Sequence, residues 1–354
     1  MELPPGAKKG LEETKVEYVK LGSSGLRVSV PILGGMGFGD KQWQPWVLDE
    51  EESLKVLKAA FDKGINTWDT ADMYSNGYAE EVMGNAITKL KIPREKLVIM
   101  TKCALYVGEE PNMFTPALGA QLSLSKDYVN RGGLSRSAIF KAVDASLARL
   151  QTSYIDLYQI HRFDPETPIE ETMKALHDLV QAGKVRYIGA SSMWATQFAR
   201  MQFVAEKNGW TRFVSMQNLY NLLYREEERE MMRFCKETGV GIIPYSPMFG
   251  GQLARPLGTG ETVRAKTPSP VGNNMSEADQ EIIRRVEKLA NDKGWNMGHV
   301  ALSWHRSKGA IPIVGFNSTS RIDEACELRG KVLTPEEVKY LEEAYVPKNV
   351  MGHY

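Results

Sequence analysis

The sequence predicts an α/β chain folded as one (β/α)8 TIM barrel with an N-terminal β-hairpin and long βα loops. Three observations carry that expectation. β-rich apolar runs and amphipathic helical periods alternate eight times, the pattern of parallel strands joined by crossover helices. No low-complexity linker breaks the alternation, which favours one closed barrel over two open doubly wound halves. Three connections, residues 38–49, 103–134 and 247–275, are too long for ordinary turns. All three follow strand runs, and the C-terminal face of the strands is where a barrel carries its site.

Taken in order, residues 1–15 read as a polar leader, residues 16–346 as the barrel domain and residues 347–354 as a tail. In "VEYVKLGSSGLRVSV" two β-rich runs flank Gly22, Ser23, Ser24 and Gly25, which predicts a hairpin. "VPILGG" opens the barrel, and Leu54, Leu57 and Phe61 share one face of the helix after it. "INTWDT" precedes the helix "AEEVMGNAITKL", and "KLVIMTKC" precedes a helix with Ile139, Val143, Leu147 and Leu150 at spacings of three or four. "YIDLYQIH" leads into a helix with Ile169, Met173, Leu176 and Val180 on one face, and "VRYIGASS" into a helix over residues 195–208. "VSMQNLYN" is followed by "EEREMMRFCKETG", "GVGIIPYSP" by a helix after Ser276, and "AIPIVGF" by a last helix from Ser320.

Composition excludes several function classes. Among 354 residues, 44 basic side chains balance 44 acidic ones, which argues against a basic nucleic-acid binder. The first twenty residues lack the apolar run of a signal peptide, and no window approaches the roughly 18 apolar residues of a membrane span, so the expected location is cytoplasmic. Cys103, Cys235 and Cys326 are far apart and without CxxC spacing, which predicts reduced thiols rather than a disulfide framework or a zinc site.

The polar residues at the strand ends, read in order, are Asp69 and Tyr74, Lys102, His161, Ser191 and Ser192, Gln217 and Asn218, and Tyr245 and Ser246. A phenol with a pKa of about 10 is a poor proton donor at neutral pH unless a cation stabilises the phenolate. Lys102 can supply that cation, Asp69 can hold Lys102 as ammonium, and His161 can orient a carbonyl oxygen by a hydrogen bond. Taken singly, each has a plainer reading: a loop Asp, a packed Tyr, a solvated strand-end Lys, a satisfied core His. Together at strand termini they describe an electrophilic pocket for a carbonyl about to receive hydride.

These residues resemble the aldo-keto reductases from Val16 to about Val346. "DTADMY" is similar to the family's Asp-Thr-Ala-x-x-Tyr element, and "VIMTKC" and "LYQIHR" to its lysine and histidine strands. The wording around residues 132–164 and 185–202 is similar to fungal members related to versiconal hemiacetal acetate reductase and aryl-alcohol dehydrogenases. The resemblance implies a metal-free reduction of an aldehyde or ketone with NADPH, NADH remaining possible. Tyr74 would be the general acid, Lys102 its pKa modulator, Asp69 the partner of Lys102, and His161 the carbonyl-orienting group. Ser191, Ser192 and Gln217 would meet the carboxamide, Tyr245 would stack on the nicotinamide, and Ser246, Met248 and Gly251 would line the pyrophosphate loop. Asn317, Ser318 and Arg321 would meet a 2′-phosphate and Glu324 the adenine. Ser192 and Ala325 stand where many members have asparagine, and Gly315 and Phe316 replace a basic residue at the start of the adenosine clamp.

Other features have structural readings. The run Glu226–Glu230 is expected to be a solvated helix opening rather than a cation site. His177, His299 and His305 lack metal-ligand spacing, while Asp72 is expected to be a loop or capping residue. Trp43, Trp46 and Phe249 lie on loops at the pocket face and are candidate substrate contacts. The partner is therefore a small-molecule carbonyl substrate, with no nucleic acid and no membrane; oligomeric state is open. The rival readings are a cofactor-binding scaffold resembling potassium-channel β subunits and a metal-dependent barrel hydrolase.

Overall fold

Each of the eight apolar runs forms a barrel strand in the computed structural model, which describes residues 3–259, 263–267 and 275–353. A two-stranded antiparallel hairpin comes first, β1 (Glu17–Lys20) with β2 (Arg27–Val30). The parallel strands are β3 (Ile32–Gly34), β4 (Thr67–Asp69), β5 (Val98–Cys103), β6 (Ile155–Ile160), β7 (Val185–Ser191), β8 (Phe213–Gln217), β9 (Gly241–Ile242) and β10 (Ile313–Gly315). They pair in sequence order, and β10 returns to β3. Ile311 N donates to Ile242 O and Ile313 N to Pro244 O, both at 2.9 Å, so β10 also meets β9 and the barrel closes.

Strand alternation decides what faces inward. On β5, Met100 points into the interior beside Leu157 of β6, while Ile99 and Cys103 pack outward with the helices. The same parity turns Lys102 inward. The hairpin contributes Leu21, Val28 and Val30 to the interior cluster containing Ile32 and Ile243. It therefore plugs the end of the barrel opposite the strand C-termini.

The outer layer contains α2 (Glu50–Asp62), α3 (Tyr78–Lys89), α5 (Arg136–Arg149), α6 (Ile169–Gln181), α7 (Ala195–Lys207), α8 (Met231–Thr238), α10 (Glu277–Lys293), α11 (Met297–Ser307) and α12 (Thr319–Cys326). α1 (Pro5–Glu13), α4 (Gly119–Leu122), α9 (Val263–Lys266) and α13 (Pro335–Glu342) are helical without a sequence expectation, although Thr334, Pro335 and Glu337 form a capping box with proline at the start of α13. Asp49 and Ser276 close capping boxes at the starts of α2 and α10, each satisfying backbone donors that the first helical turn leaves unpaired.

The acidic run departs from its expectation. Glu226–Glu228 forms a 3-10 turn, and α8 starts only at Met231. Glu226 and Glu227 are buried because the C-terminal tail packs on them. Tyr345 Oη and Lys348 N donate to Glu226 at 2.7 and 2.8 Å, and His353 lies 2.9 Å from Glu227. These carboxylates act as anchors for the chain end; a solvated helix opening would leave them in water. No helix among the described residues is long and apolar enough to cross a membrane.

Candidate active site

The inward parity of β4, β5, β6 and β8 gathers one buried polar cluster at their C-terminal ends. Lys102 Nζ lies 2.7 Å from Asp69 Oδ2 and donates to Thr70 O at 2.7 Å, with the lysine fully buried. The other carboxylate oxygen of Asp69 accepts from Gln159 Nε2 and Gln217 Nε2, both at 3.1 Å. Gln217 also donates to Gln159 Oε1 at 3.1 Å. The pair thus has the additional hydrogen bonds that a buried ion pair requires. Burial works against the lysine charge, but Asp69 and Tyr74 together outweigh it and hold the ammonium above its ordinary range.

Tyr74 and His161 complete the cluster. The Tyr74 ring sits 5.2 Å from Lys102 Nζ and edge-on to His161, with ring centroids 5.9 Å apart. Part of the ring reaches solvent, yet its surroundings are dense enough that burial raises the phenol pKa, against the lowering effect of Lys102. The His161 imidazole is held well below its ordinary range by burial first, then by the charges of Arg162 and Lys102. It is therefore neutral at physiological pH, and its buried Nδ1 has no protein partner.

Asp72 is a loop residue, in the turn after β4, but not a solvated one. It is buried beneath the site, where desolvation and the neighbouring Glu80 push its carboxyl well above the usual range. Glu80 itself is paired with Arg149 at 2.7 Å and accepts from Thr101 Oγ1 at 2.5 Å. Asp72 N donates to Lys102 O, so the same segment braces the lysine strand.

The expected cofactor residues follow the C-terminal ends of β7, β8, β9 and β10. Ser191 Oγ and Asn218 Oδ1 are buried without a protein partner. Ser192, with φ of 40°, brings its hydroxyl within 3.4 Å of Tyr245 Oη. Gln217 is instead committed to Asp69 and Gln159. Asn221 Nδ2 donates to Ser246 O at 3.0 Å, and His305 Nε2 lies 3.2 Å from Pro247 O. Met248 precedes the 3-10 turn Phe249–Ala254, in which Gly250 and Gly251 adopt φ of 67° and 92°. Such left-handed glycines let backbone amides approach an anion. Beyond β10, Asn317 is exposed, Ser318 caps α12, and Arg321 pairs with Glu324 at 2.6 Å.

Of the candidate substrate contacts, Trp43 and Trp46 join Tyr74 in one aromatic cluster, the Trp43 ring lying 6.4 Å from that of Tyr74. Phe249 does not: it is buried in the main core with Lys348 5.8 Å from its ring. Three neighbours of the site escaped sequence reasoning. Gln159 shares the inward parity of Leu157 and His161, so alternation alone points to it. Arg162 follows His161 and donates to its carbonyl at 2.6 Å, while its Nε is buried without a partner. Asn76 bonds a distant loop, which no local signal reveals.

The aldo/keto reductase family model matches residues 32–346. The chain belongs to the aldo/keto reductase family. A fungal aldo-keto reductase of Metarhizium robertsii is 52% identical over 100% of this chain and 97% of its own length. Versiconal hemiacetal acetate reductase of Aspergillus parasiticus is 52% identical over 95% of this chain and 98% of its own. A Saccharomyces cerevisiae chain of the aryl-alcohol dehydrogenase group is 47% identical, covering 94% and 98%. This aldo/keto reductase is an NAD(P)H-dependent oxidoreductase acting on small carbonyl compounds. Among the described residues, no group of three or more His, Cys, Asp or Glu side chains is placed to hold a metal ion.

Proposed function

We propose that the enzyme reduces an aldehyde or ketone with NADPH, using Tyr74 as the proton donor. The observation that carries this reading is the buried Asp69–Lys102 pair set beneath the Tyr74 ring, with a neutral His161 beside it. The orphaned Ser191 Oγ and Asn218 Oδ1, the half-buried Tyr245 ring and the left-handed glycines fit a nicotinamide cofactor. When bound, that cofactor supplies the hydride. His161 donates a hydrogen bond to the substrate oxygen and fixes its orientation, while Tyr74 Oη gives that oxygen a proton. Lys102 stabilises the phenolate left behind, and Asp69 keeps Lys102 charged and in place.

In this reading Ser191, Ser192 and Tyr245 hold the nicotinamide end, and Ser246, Met248 and Gly251 the pyrophosphate. Gln217 steadies Asp69 as well as bordering the carboxamide. Asn317, Ser318 and Arg321 take the 2′-phosphate, with Glu324 releasing Arg321 for that contact. Residues 16–346 are the catalytic unit, flanked by a leader and by a tail clasped at Glu226 and Glu227. Cys103, Cys235 and Cys326 are all unpaired, which suits a reducing compartment such as the cytoplasm. The similarity to versiconal hemiacetal acetate reductase favours a substrate from secondary metabolism.

A panel of carbonyls assayed with NADPH and NADH in parallel tests the reading, by the fall in nicotinamide absorbance. Arg321→Ala is expected to raise the NADPH Kd about tenfold, the scale of one charge-assisted contact, with the NADH Kd changing less than about twofold. Equal effects on both would sink the 2′-phosphate assignment.

The pH profile follows from the shifts. Tyr74 donates while protonated, and its raised pKa keeps it protonated until the pH exceeds the ordinary phenol value of about 10. His161, lowered, stays neutral through the ordinary imidazole value of about 6.5. For reduction, kcat/KM is therefore expected to be flat from about pH 6 to 9 and to fall only above that window. An inflection near 6.5 would show that His161 titrates there.

A further inference from the structure

Asn76 sits two residues after Tyr74 and outside every role assigned above. Its backbone is left-handed, with φ of 53°, a conformation that asparagine tolerates better than most side chains. That geometry turns its amide onto the long loop after β5. Nδ2 donates to Glu110 O at 2.8 Å and Met113 O at 2.9 Å, and Oδ1 accepts from Gly108 N at 3.0 Å. One side chain therefore satisfies three backbone groups spread over six residues of loop. Phe114, next in sequence, is partly exposed and packs its ring 5.7 Å from Trp43, which also contacts the rings of Tyr74 and Trp46. Contacts therefore run in a closed circuit from Tyr74 through Asn76 and Met113 to Phe114 and back through Trp43 to Tyr74.

We propose that Asn76 is a specificity-determining positioning residue: it fixes the Phe114 arm over Trp43, and so selects aromatic carbonyls, whose rings pack under that arm, over small aliphatic ones. The proposal rests on the carbonyl-reduction reading. Nothing else in the described loop ties residues 108–113 directly to the Tyr74 segment; the remaining bonds, such as Thr115 Oγ1 to Tyr106 O and Glu109 N to Tyr128 Oη, are internal to the loop. Loss of the amide should therefore free the arm without moving the Asp69–Lys102 pair beneath Tyr74.

The test compares 2-naphthaldehyde with butanal in wild type, Asn76→Gly, Asn76→Asp and Phe114→Ala. Asn76→Gly keeps the left-handed backbone and removes all three bonds; Asn76→Asp keeps the acceptor and loses both donors. Both are expected to raise KM for 2-naphthaldehyde about tenfold while kcat for butanal stays within about twofold, since the lost contacts are to the substrate ring alone. Phe114→Ala should reproduce that change, and adding Asn76→Gly to it should add nothing, because the amide acts through the ring. An unchanged ratio of the two aldehydes, an equal loss on both, or full additivity overturns the proposal. Chymotryptic cleavage at Phe114 gives a readout independent of turnover and is expected to accelerate at least about fivefold in Asn76→Gly, because local opening governs cleavage. If wild type reduces no carbonyl, the reading of the site fails while cleavage still reports on the clamp; an unchanged cleavage rate overturns the clamp itself.

Discussion

Tyr74→Phe is expected to lower kcat for aldehyde reduction by about 10²–10⁴-fold, the usual contribution of a positioned general acid, while the NADPH Kd changes little. The substitution removes one hydroxyl and leaves the ring that packs on Trp43 and stands edge-on to His161. Its effect is thus confined to proton delivery. Stopped-flow absorbance at the nicotinamide band separates the chemical step from cofactor binding. Equal turnover in wild type and variant would remove Tyr74 from the mechanism. Tight NADPH binding by both proteins, with no carbonyl reduced by either, would instead favour a cofactor-binding scaffold.

Lys102→Met is expected to be damaging twice over. Lys102 is wholly buried and its partner Asp69 nearly so. Among the described residues, removing the ammonium leaves a carboxylate held by hydrogen bonds from Gln159 and Gln217. Breaking a buried pair from one side costs about 3–5 kcal/mol of stability. The same substitution withdraws the charge that stabilises the Tyr74 phenolate, so reduction should fall to near the level of Tyr74→Phe. The double variant Lys102→Met, Asp69→Asn separates the two effects. Its denaturation midpoint should recover part of the loss, since no uncompensated charge remains, whereas its turnover should not recover. Recovery of both would mean that Lys102 contributes only to folding.

Much of this site was legible because barrel strands repeat with a period of two and end on one face. Asp69, Lys102 and His161 could be placed from their positions at strand ends and from the resemblance of their motifs to the family's, and the structure brings them together with Tyr74. What the sequence hid was tertiary. Asp72 reads as a polar loop residue, yet the Glu80–Arg149 pair and the lysine strand enclose it. Glu226 and Glu227 read as solvated charges because the tail residues that cover them, Tyr345, Lys348 and His353, lie more than a hundred positions away. Phe249 follows a strand end like the other pocket residues, but its left-handed backbone turns the ring into the core. Asn76 is one polar residue among many in the text. Only folding shows that its amide faces three backbone groups of another loop.

The central claim is that hydride passes from a nicotinamide to the carbonyl carbon while Tyr74 protonates the oxygen. Its most direct test uses NADPH carrying deuterium at both nicotinamide C4 positions, in ordinary water, with the alcohol product analysed by mass spectrometry and NMR. Wild type is expected to place one deuterium on the carbinol carbon, and Tyr74→Phe to form the same labelled product far more slowly. Alcohol formed without deuterium on that carbon would contradict the claim.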